Sequence, residues 1–321
     1  MISLSDFQFK QIVLFYPSEG EKIAVKNDNL IIKDAEGKIK FQVTTYRLFA
    51  LFVVGSTTIT TEIIKKSKQH GFSICLFSTT FKLYEIIGHK IEGNTLLHKK
   101  QYSHESIDLG KQIIINKIYN QARAIEKIRD KSDRQKQAIQ KLKDSAYKLA
   151  TNEYSLLQIL GIEGTASKLY FNNIFDTTGW ERRCPRIKPD FINSTLDIGY
   201  TILFNVIDAL LRIYGFDTYY GVLHRCFYMR KSLVCDIMEP FRPIVDMRIR
   251  KGINWGEIKE SDFKKIGNKL QLEWKYSPKY TQLLLKAIME YKDDIFLYVQ
   301  GYYRNFMKGP NVQTLKEFEY K

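Results

Sequence analysis

Cysteine is scarce in this chain of 321 residues. Four are present (Cys75, Cys184, Cys226 and Cys235), no two in a C-x-x-C pair, so neither a disulfide framework nor a structural zinc site is expected. Long apolar runs are also missing. The longest, Leu48 to Val54, falls far short of the roughly 20 residues a membrane-spanning helix needs. The start, MISLSDFQFK, lacks a basic segment followed by an apolar one, so no secretory signal is expected. There is no internal repeat and no low-complexity segment. A composition of 44% hydrophobic and 26% charged residues excludes a disordered chain. The expectation is a cytosolic protein with no membrane partner. Negative charge is in short supply: 35 Asp+Glu face 50 Lys+Arg, a formal surplus of +15. That surplus asks for an anionic partner.

The distribution of the charge says more than its sum. Residues 111 to 150 hold 11 Lys+Arg, Lys117 among them, and 4 acids. A second basic cluster, Arg182, Arg183, Arg186 and Lys188, lies in ERRCPRIKP, and a third runs through Arg225, Arg230 and Lys231. A solvated helix face explains any one cluster best. Three of them on a chain with 13% aromatics favour nucleic acid over a membrane surface, because no strongly amphipathic basic helix stands out.

The texture of the chain changes once. Residues 10 to 88 read as strands broken by turns. Gln11 to Phe15 is a short apolar run, KIAVKNDNLIIK is a hairpin around Asn27-Asp28-Asn29, KIKFQVT follows the turn Asp34 to Gly37, and Tyr46 to Val54 is a buried strand. Helical spacing occupies Thr60 to His70, and SICLFS and FKLYEIIG add two strands. Residues 89 to 104 read as a polar linker. From Glu105 onward the period is helical, as in Ile107 to Arg129, Lys136 to Leu160, Phe191 to Tyr214 and Ser277 to Met307, with KLQLEW as a strand-like exception. The tail from Lys308 reads as loosely held. The predicted fold is α+β: a small β-rich N-terminal domain (1–88), a linker (89–104) and a larger α-helical domain (105–321) carrying the site.

Three segments of the helical domain carry chemistry. In Leu160-Gly-Ile-Glu-Gly164, glycines on both sides leave the Glu163 carboxylate unscreened, although a helix-start acid after a C-capping Gly161 explains the segment better when it is taken alone. Gly221-Val-Leu-His224 contains the only histidine of the helical domain. In CDIMEPFRPIVD, Asp236 and Glu239 share a helix face, with Asp246 seven residues beyond, and Pro240 and Pro243 predict a helix start or kink. Close carboxylates repel unless a cation joins them or one stays protonated. Two carboxylates and an imidazole suit Mg2+ or Mn2+, though zinc accepts them too. Such a metal beside a basic surface is what phosphodiester chemistry needs.

GIEGTASKLYF, GVLH and DIMEPFRPIVD, in that order and behind a β-rich domain containing KIAVKNDNLIIKDAEGKIKF, closely resemble the CRISPR-associated integrases, the family of the first numbered Cas protein. The resemblance runs over essentially the whole chain. It implies a divalent-metal site (Mg2+ or Mn2+) made by Glu163, His224 and Glu239, with Asp236 of the same element as a supporting acid. Family members often have Asp where this chain has Glu239. Arg242 is expected to support the site or touch phosphate, and Arg182, Arg183, Arg186, Lys188, Arg225, Arg230 and Arg248 to contact DNA. The resemblance further implies a homodimer, a complex with the second numbered Cas protein, and double-stranded DNA as substrate, both the captured prespacer and the CRISPR repeat at its leader edge, in a prokaryotic cytoplasm.

The implied reaction is transesterification. The 3′-OH of a captured fragment attacks a phosphodiester at the edge of a repeat, with no covalent enzyme intermediate. Cys226 and Cys235 flank the site but read as packed hydrophobes. Two rivals use the same residues differently: a metal-dependent nuclease of branched DNA that never joins strands, and a non-catalytic basic scaffold whose acids are salt-bridge partners.

Overall fold

The computed structural model describes residues 3–88, 93–185, 187–224, 228–308 and 315–321. It separates into two compact units, residues 1–95 with 208–216, and residues 96–207 with 217–321. The arrangement is α+β, strands first and helices after.

The first unit opens with helix α1 (Leu4–Gln8), where Ser3 and Asp6 cap each other reciprocally. Strands β1 (Gln11–Phe15), β2 (Lys22–Lys26), β3 (Asn29–Lys33), β4 (Ile39–Thr44) and β5 (Leu48–Val54) follow, then α2 (Thr61–His70), β6 (Ser73–Phe77) and β7 (Leu83–Gly88). One sheet has the order β1-β5-β6-β7, with β1, β5 and β6 parallel and β7 antiparallel; β2-β3-β4 form an antiparallel meander. All seven residues of β5 are buried, which is why LFALFVV shows no alternation. Asn27 and Asp28 both adopt positive φ, 47° and 57°, as a two-residue hairpin turn of the strand-matching hand requires. The strand expected from Tyr46 begins at Leu48, because Thr45–Arg47 form a 3-10 turn and leave Tyr46 exposed. Val13, Leu30, Val43, Leu51, Val53, Ile63, Phe72 and Ile74 form the core between the sheets and α2.

The second unit contains α3 (Thr95–Tyr102), α4 (Asp108–Glu126), α5 (Asp133–Thr151), α6 (Leu156–Ile174), most of α7 (Phe191–Tyr214), α8 (Ser232–Met238), α9 (Arg242–Asn254), α10 (Ser277–Glu290) and α11 (Lys292–Lys308). Its strands β8 (Phe263–Ile266) and β9 (Lys269–Leu272) pair as one hairpin at the strand-like KLQLEW. Among the described residues no helix is long and apolar enough to cross a membrane.

Three expectations change. The helical run from Lys136 to Leu160 is two helices, because Ser155 starts α6 with its own capping box to Gln158. The run from Ser277 to Met307 divides at Tyr291. Part of the expected linker, 95–102, is helical and seats Leu97 in the core; residues 89–92 lie outside the described residues.

The tail also departs from its expectation. Residues 308–314 lie partly outside the described residues, but 315–321 are tied down on α4. The Asn116 side chain donates to Phe318 O (2.8 Å) and accepts from Phe318 N (3.1 Å), and Asn120, one turn on, bonds Phe318 O (2.9 Å) and Tyr320 N (2.8 Å). Two amides on one helix face thus serve as a substitute strand for an extended segment. Phe318 is buried against Phe241, ring centroids 4.6 Å apart.

Candidate metal centre

Glu163 stands in the interior of α6, not at a helix start, and Gly161 is no C-cap. The capping box at Ser155 carries the helix through both glycines, each of which weakens a helix interior by about 1 kcal/mol. A Cβ added at either Gly161 or Gly164 would meet nothing within 4 Å, so the helix face beside Glu163 is bare. Ser167, one turn along, donates to Glu163 Oε1 (2.9 Å).

Glu239 lies in a 3-10 turn, Glu239–Phe241, that joins α8 to α9. Pro240 and Pro243 fall at the first positions of this turn and of α9, where a missing N–H costs little, so the predicted irregularity at the acids is present. The Glu239 side chain is buried. Arg242 donates Nη2 to Glu239 Oε1 (2.9 Å), and its Nε lies 2.8 Å from Oε2 without hydrogen-bond alignment. Burial pushes the Glu239 carboxyl up, but the Arg242 and Lys117 charges and hydrogen bonds outweigh it and bring it down to about 2.

Lys117 of α4 joins the two carboxylates. Its ammonium lies 2.7 Å from Glu239 Oε2 and also bonds Glu163 Oε1. Lys117 belongs to the basic cluster of residues 111 to 150, for which a solvated helix face is the simplest expectation; it is buried. The signal was available: Lys117 is one turn from Ile113 and follows Ile114 and Ile115, on an apolar stretch that faces inward.

His224 and Asp236 form a second pair. The imidazole Nδ1 lies 2.5 Å from Asp236 Oδ1. Asp236, wholly buried on α8, also accepts from the backbone N–H groups of Val222 (2.7 Å), Leu223 (2.9 Å) and His224 (3.3 Å). Gly221 makes that wrap tight, since a Cβ there would come within 2.5 Å of Asp236 Oδ2. A carboxylate on Nδ1 fixes the ring so that Nε2 is the nitrogen left for a ligand role.

The structure therefore brings Glu163 to Glu239 through Lys117, and His224 to Asp236. Among the described residues, no three His, Cys, Asp or Glu side chains gather closely enough to hold a metal ion. The donor set nonetheless suits a divalent cation. Two carboxylates already share one cation, and the histidine has the carboxylate support typical of a metal ligand.

Asp246 does not face this pair. Tyr170 (2.9 Å) and Tyr200 (2.5 Å) donate to it, and burial, only partly offset by those bonds and the Arg242 and Arg183 charges, raises its carboxyl to about 6. The Arg242 guanidinium lies 4.6 Å from the Tyr200 ring centroid, so the residue that bonds Glu239 also packs on a tyrosine bonded to Asp246.

The expected DNA contacts divide. Arg182 and Arg230 are exposed. Arg183 is committed to Asn193 and Asp197, Lys188 lies 3.9 Å from Asp197, Arg248 bonds Glu257 (2.6 Å) and Arg242 holds Glu239. Arg186, Arg225 and Cys226 lie outside the described residues.

Residues 14–286 match the family described as CRISPR associated protein Cas1. The chain is 27% identical over 304 residues to a CRISPR-associated endonuclease Cas1 of Thermodesulfovibrio yellowstonii, covering 87% of this chain and 92% of that protein. Two solved structures share the fold. A casposase bound to integration product aligns with a TM-score of 0.77 at 20% identity, over 97% of this chain and 94% of that one. A chain of a Cas6-RT-Cas1–Cas2 complex aligns with a TM-score of 0.77 at 22% identity; it covers 97% of this chain, which spans only 36% of that longer one. With its three motifs in order, its two units and a family match across most of its length, this chain belongs to the Cas1 family of CRISPR-associated proteins.

Proposed function

We propose that the chain is a metal-dependent DNA integrase of CRISPR adaptation, which joins prespacer 3′-OH ends to the repeat by transesterification. The observation that carries the reading is the Glu163–Glu239 pair, two carboxylates from separate elements converging on one cation. Glu163, His224 and Glu239 would hold the ion, Mg2+ or Mn2+. When bound there, it would polarise the target phosphate and make the 3′-OH a better nucleophile.

The protein's own groups have separate tasks. Asp236 holds the proton on His224 Nδ1 and fixes the ring, which makes it a positioning residue. Arg242 orients Glu239 and adds positive charge beside the reacting phosphate. The bare face of α6 at Gly161 and Gly164 leaves room for a DNA backbone to reach Glu163. In the reaction a new P–O bond forms to the incoming 3′ oxygen. The phosphate stays on the repeat's 5′ oxygen, its P–O bond to the 3′ oxygen of the flanking strand breaks, and the proton of the attacking hydroxyl passes to that leaving oxygen through solvent. Exposed Arg182 and Arg230 would hold phosphates on the approach.

The relatives' names support DNA cleavage and strand joining as the chemistry, and the Cas1–Cas2 assembly supports Cas2 as a partner. Homodimerisation, with the β-rich unit at the dimer contact and DNA end, and a cytoplasmic setting complete the proposal.

Incubating the protein with a 3′-OH duplex, a repeat-bearing plasmid and Mn2+ tests it. Joined products are expected, and Glu163→Ala should abolish them while DNA binding persists. Nicks without joining would indicate the branched-DNA nuclease, and product yield unchanged by Glu163→Ala would indicate the scaffold.

A further inference from the structure

Lys117 differs from every other cation of the basic stretch from 111 to 150 in what it faces. It is 5% exposed, and its ammonium joins two carboxylates that come from different elements, Glu163 on α6 and Glu239 between α8 and α9. A buried ammonium is costly without partners, and two close carboxylates repel without a cation. Each side of the cluster satisfies the other.

The charges balance. Glu163 and Glu239 contribute −2, Lys117 and Arg242 contribute +2, and the sum is zero. A divalent cation entering this cluster with both basic groups in place would raise the sum to +2 in a buried setting. With Lys117 withdrawn from the pair, the same cation would leave +1, and with Lys117 absent it would meet a cluster of −1. The carboxylate pair therefore has two alternative counter-ions, one built in and one from solution.

We propose that Lys117 is an internal competitor for the metal, so that loading the site exchanges a buried ammonium for a divalent ion. This inference rests on the reading of Glu163 and Glu239 as metal-holding residues. Its consequence is that the free protein folds with its carboxylates neutralised and binds metal weakly, until substrate phosphates add ligands that favour the exchange.

The test uses the full chain without DNA. Mn2+ binding is followed by titration calorimetry, and melting is followed in EDTA and in saturating Mn2+. Lys117→Met should bind Mn2+ about tenfold more tightly, equivalent to ~1.4 kcal/mol. It should melt lower than the wild type in EDTA and gain more from Mn2+. Lys117→Arg, which keeps the charge, should bind Mn2+ no more tightly than the wild type. A folded Lys117→Met that binds Mn2+ equally or more weakly overturns the inference. If Lys117→Met folds only when Mn2+ is added, the competition is supported; if Mn2+ does not rescue it, the idea fails. Glu163→Gln separates the two levels. Should it leave wild-type Mn2+ binding untouched, the metal assignment itself falls; should it abolish binding while Lys117→Met is not tighter, only the role of Lys117 falls.

Discussion

Asp236 accepts hydrogen bonds from three successive backbone amides and from an imidazole nitrogen, and no side chain of other shape reproduces that set. Asp236→Asn turns an amide NH2 toward at least one of those donors. We expect a loss of about 1–3 kcal/mol in urea denaturation and a 10- to 100-fold loss of strand joining, on the order seen when metal-supporting residues change. Gly221→Ala should resemble it, because the new Cβ would meet the same carboxylate oxygen. At Asp246 the effect is one of pH. Its folded-state carboxyl is raised from 3.8 to about 6, so between those values the folded chain holds a proton the unfolded chain releases. Asp246 therefore makes stability fall as pH rises from about 4 to about 6, with no further change above. Asp246→Asn, whose amide still meets both tyrosine hydroxyls, should remove that slope; equal slopes in the two proteins by denaturation at pH 4.5 and 7 would refute the assignment. The candidate acids and histidine were legible in the sequence because glycine, proline and the rarity of histidine marked them. Lys117 is easily passed over, since a lysine among many in a basic stretch looks solvated unless its one-turn spacing from Ile113 is read as placing it on the buried helix face.

Helix α6 shows how a local rule yields to context. Two glycines three residues apart suggested a break at Glu163, but capping at Ser155 and burial of Ile159, Ala166 and Tyr170 keep the helix whole. Gly164→Ala should then raise stability by about 0.5–1 kcal/mol, since nothing in the protein obstructs the added methyl. It should also reduce strand joining if DNA approaches by that face; a stabilised variant with full joining would place the DNA elsewhere. The strap at 315–321 gives a second prediction. Asn116→Ala removes two bonds to Phe318 and should cost about 1–3 kcal/mol, with faster amide exchange confined to the strap and the turn that holds Phe241. Strands were readable from alternation and turn residues, and helices from their period. Where helices ended was less so, because a cap such as Ser155 resembles any exposed serine until the chain turns at it.

Across the whole molecule, the proposed function assigns the surplus of +15 to holding DNA and the local acids to the reaction on it. DNA affinity should fall steeply and linearly on a log-log plot against salt, as counter-ion release requires. Glu163→Ala should leave that slope unchanged, because Glu163 is an acid paired internally; a changed slope would mean that the acid shapes the DNA track itself. The parallel pairing of β1 with β5 has a consequence in time. Gln11 is registered with Leu48, so the whole β2-β3-β4 meander lies within the loop that this pairing closes. Hairpins form quickly, whereas closing a long loop carries its entropy before any contact compensates it. The meander should therefore protect its amides first during refolding, shortening the effective loop, and β5 should become the last strand to find its place on the β1 side, which makes it the segment most exposed to mispairing while the chain is young.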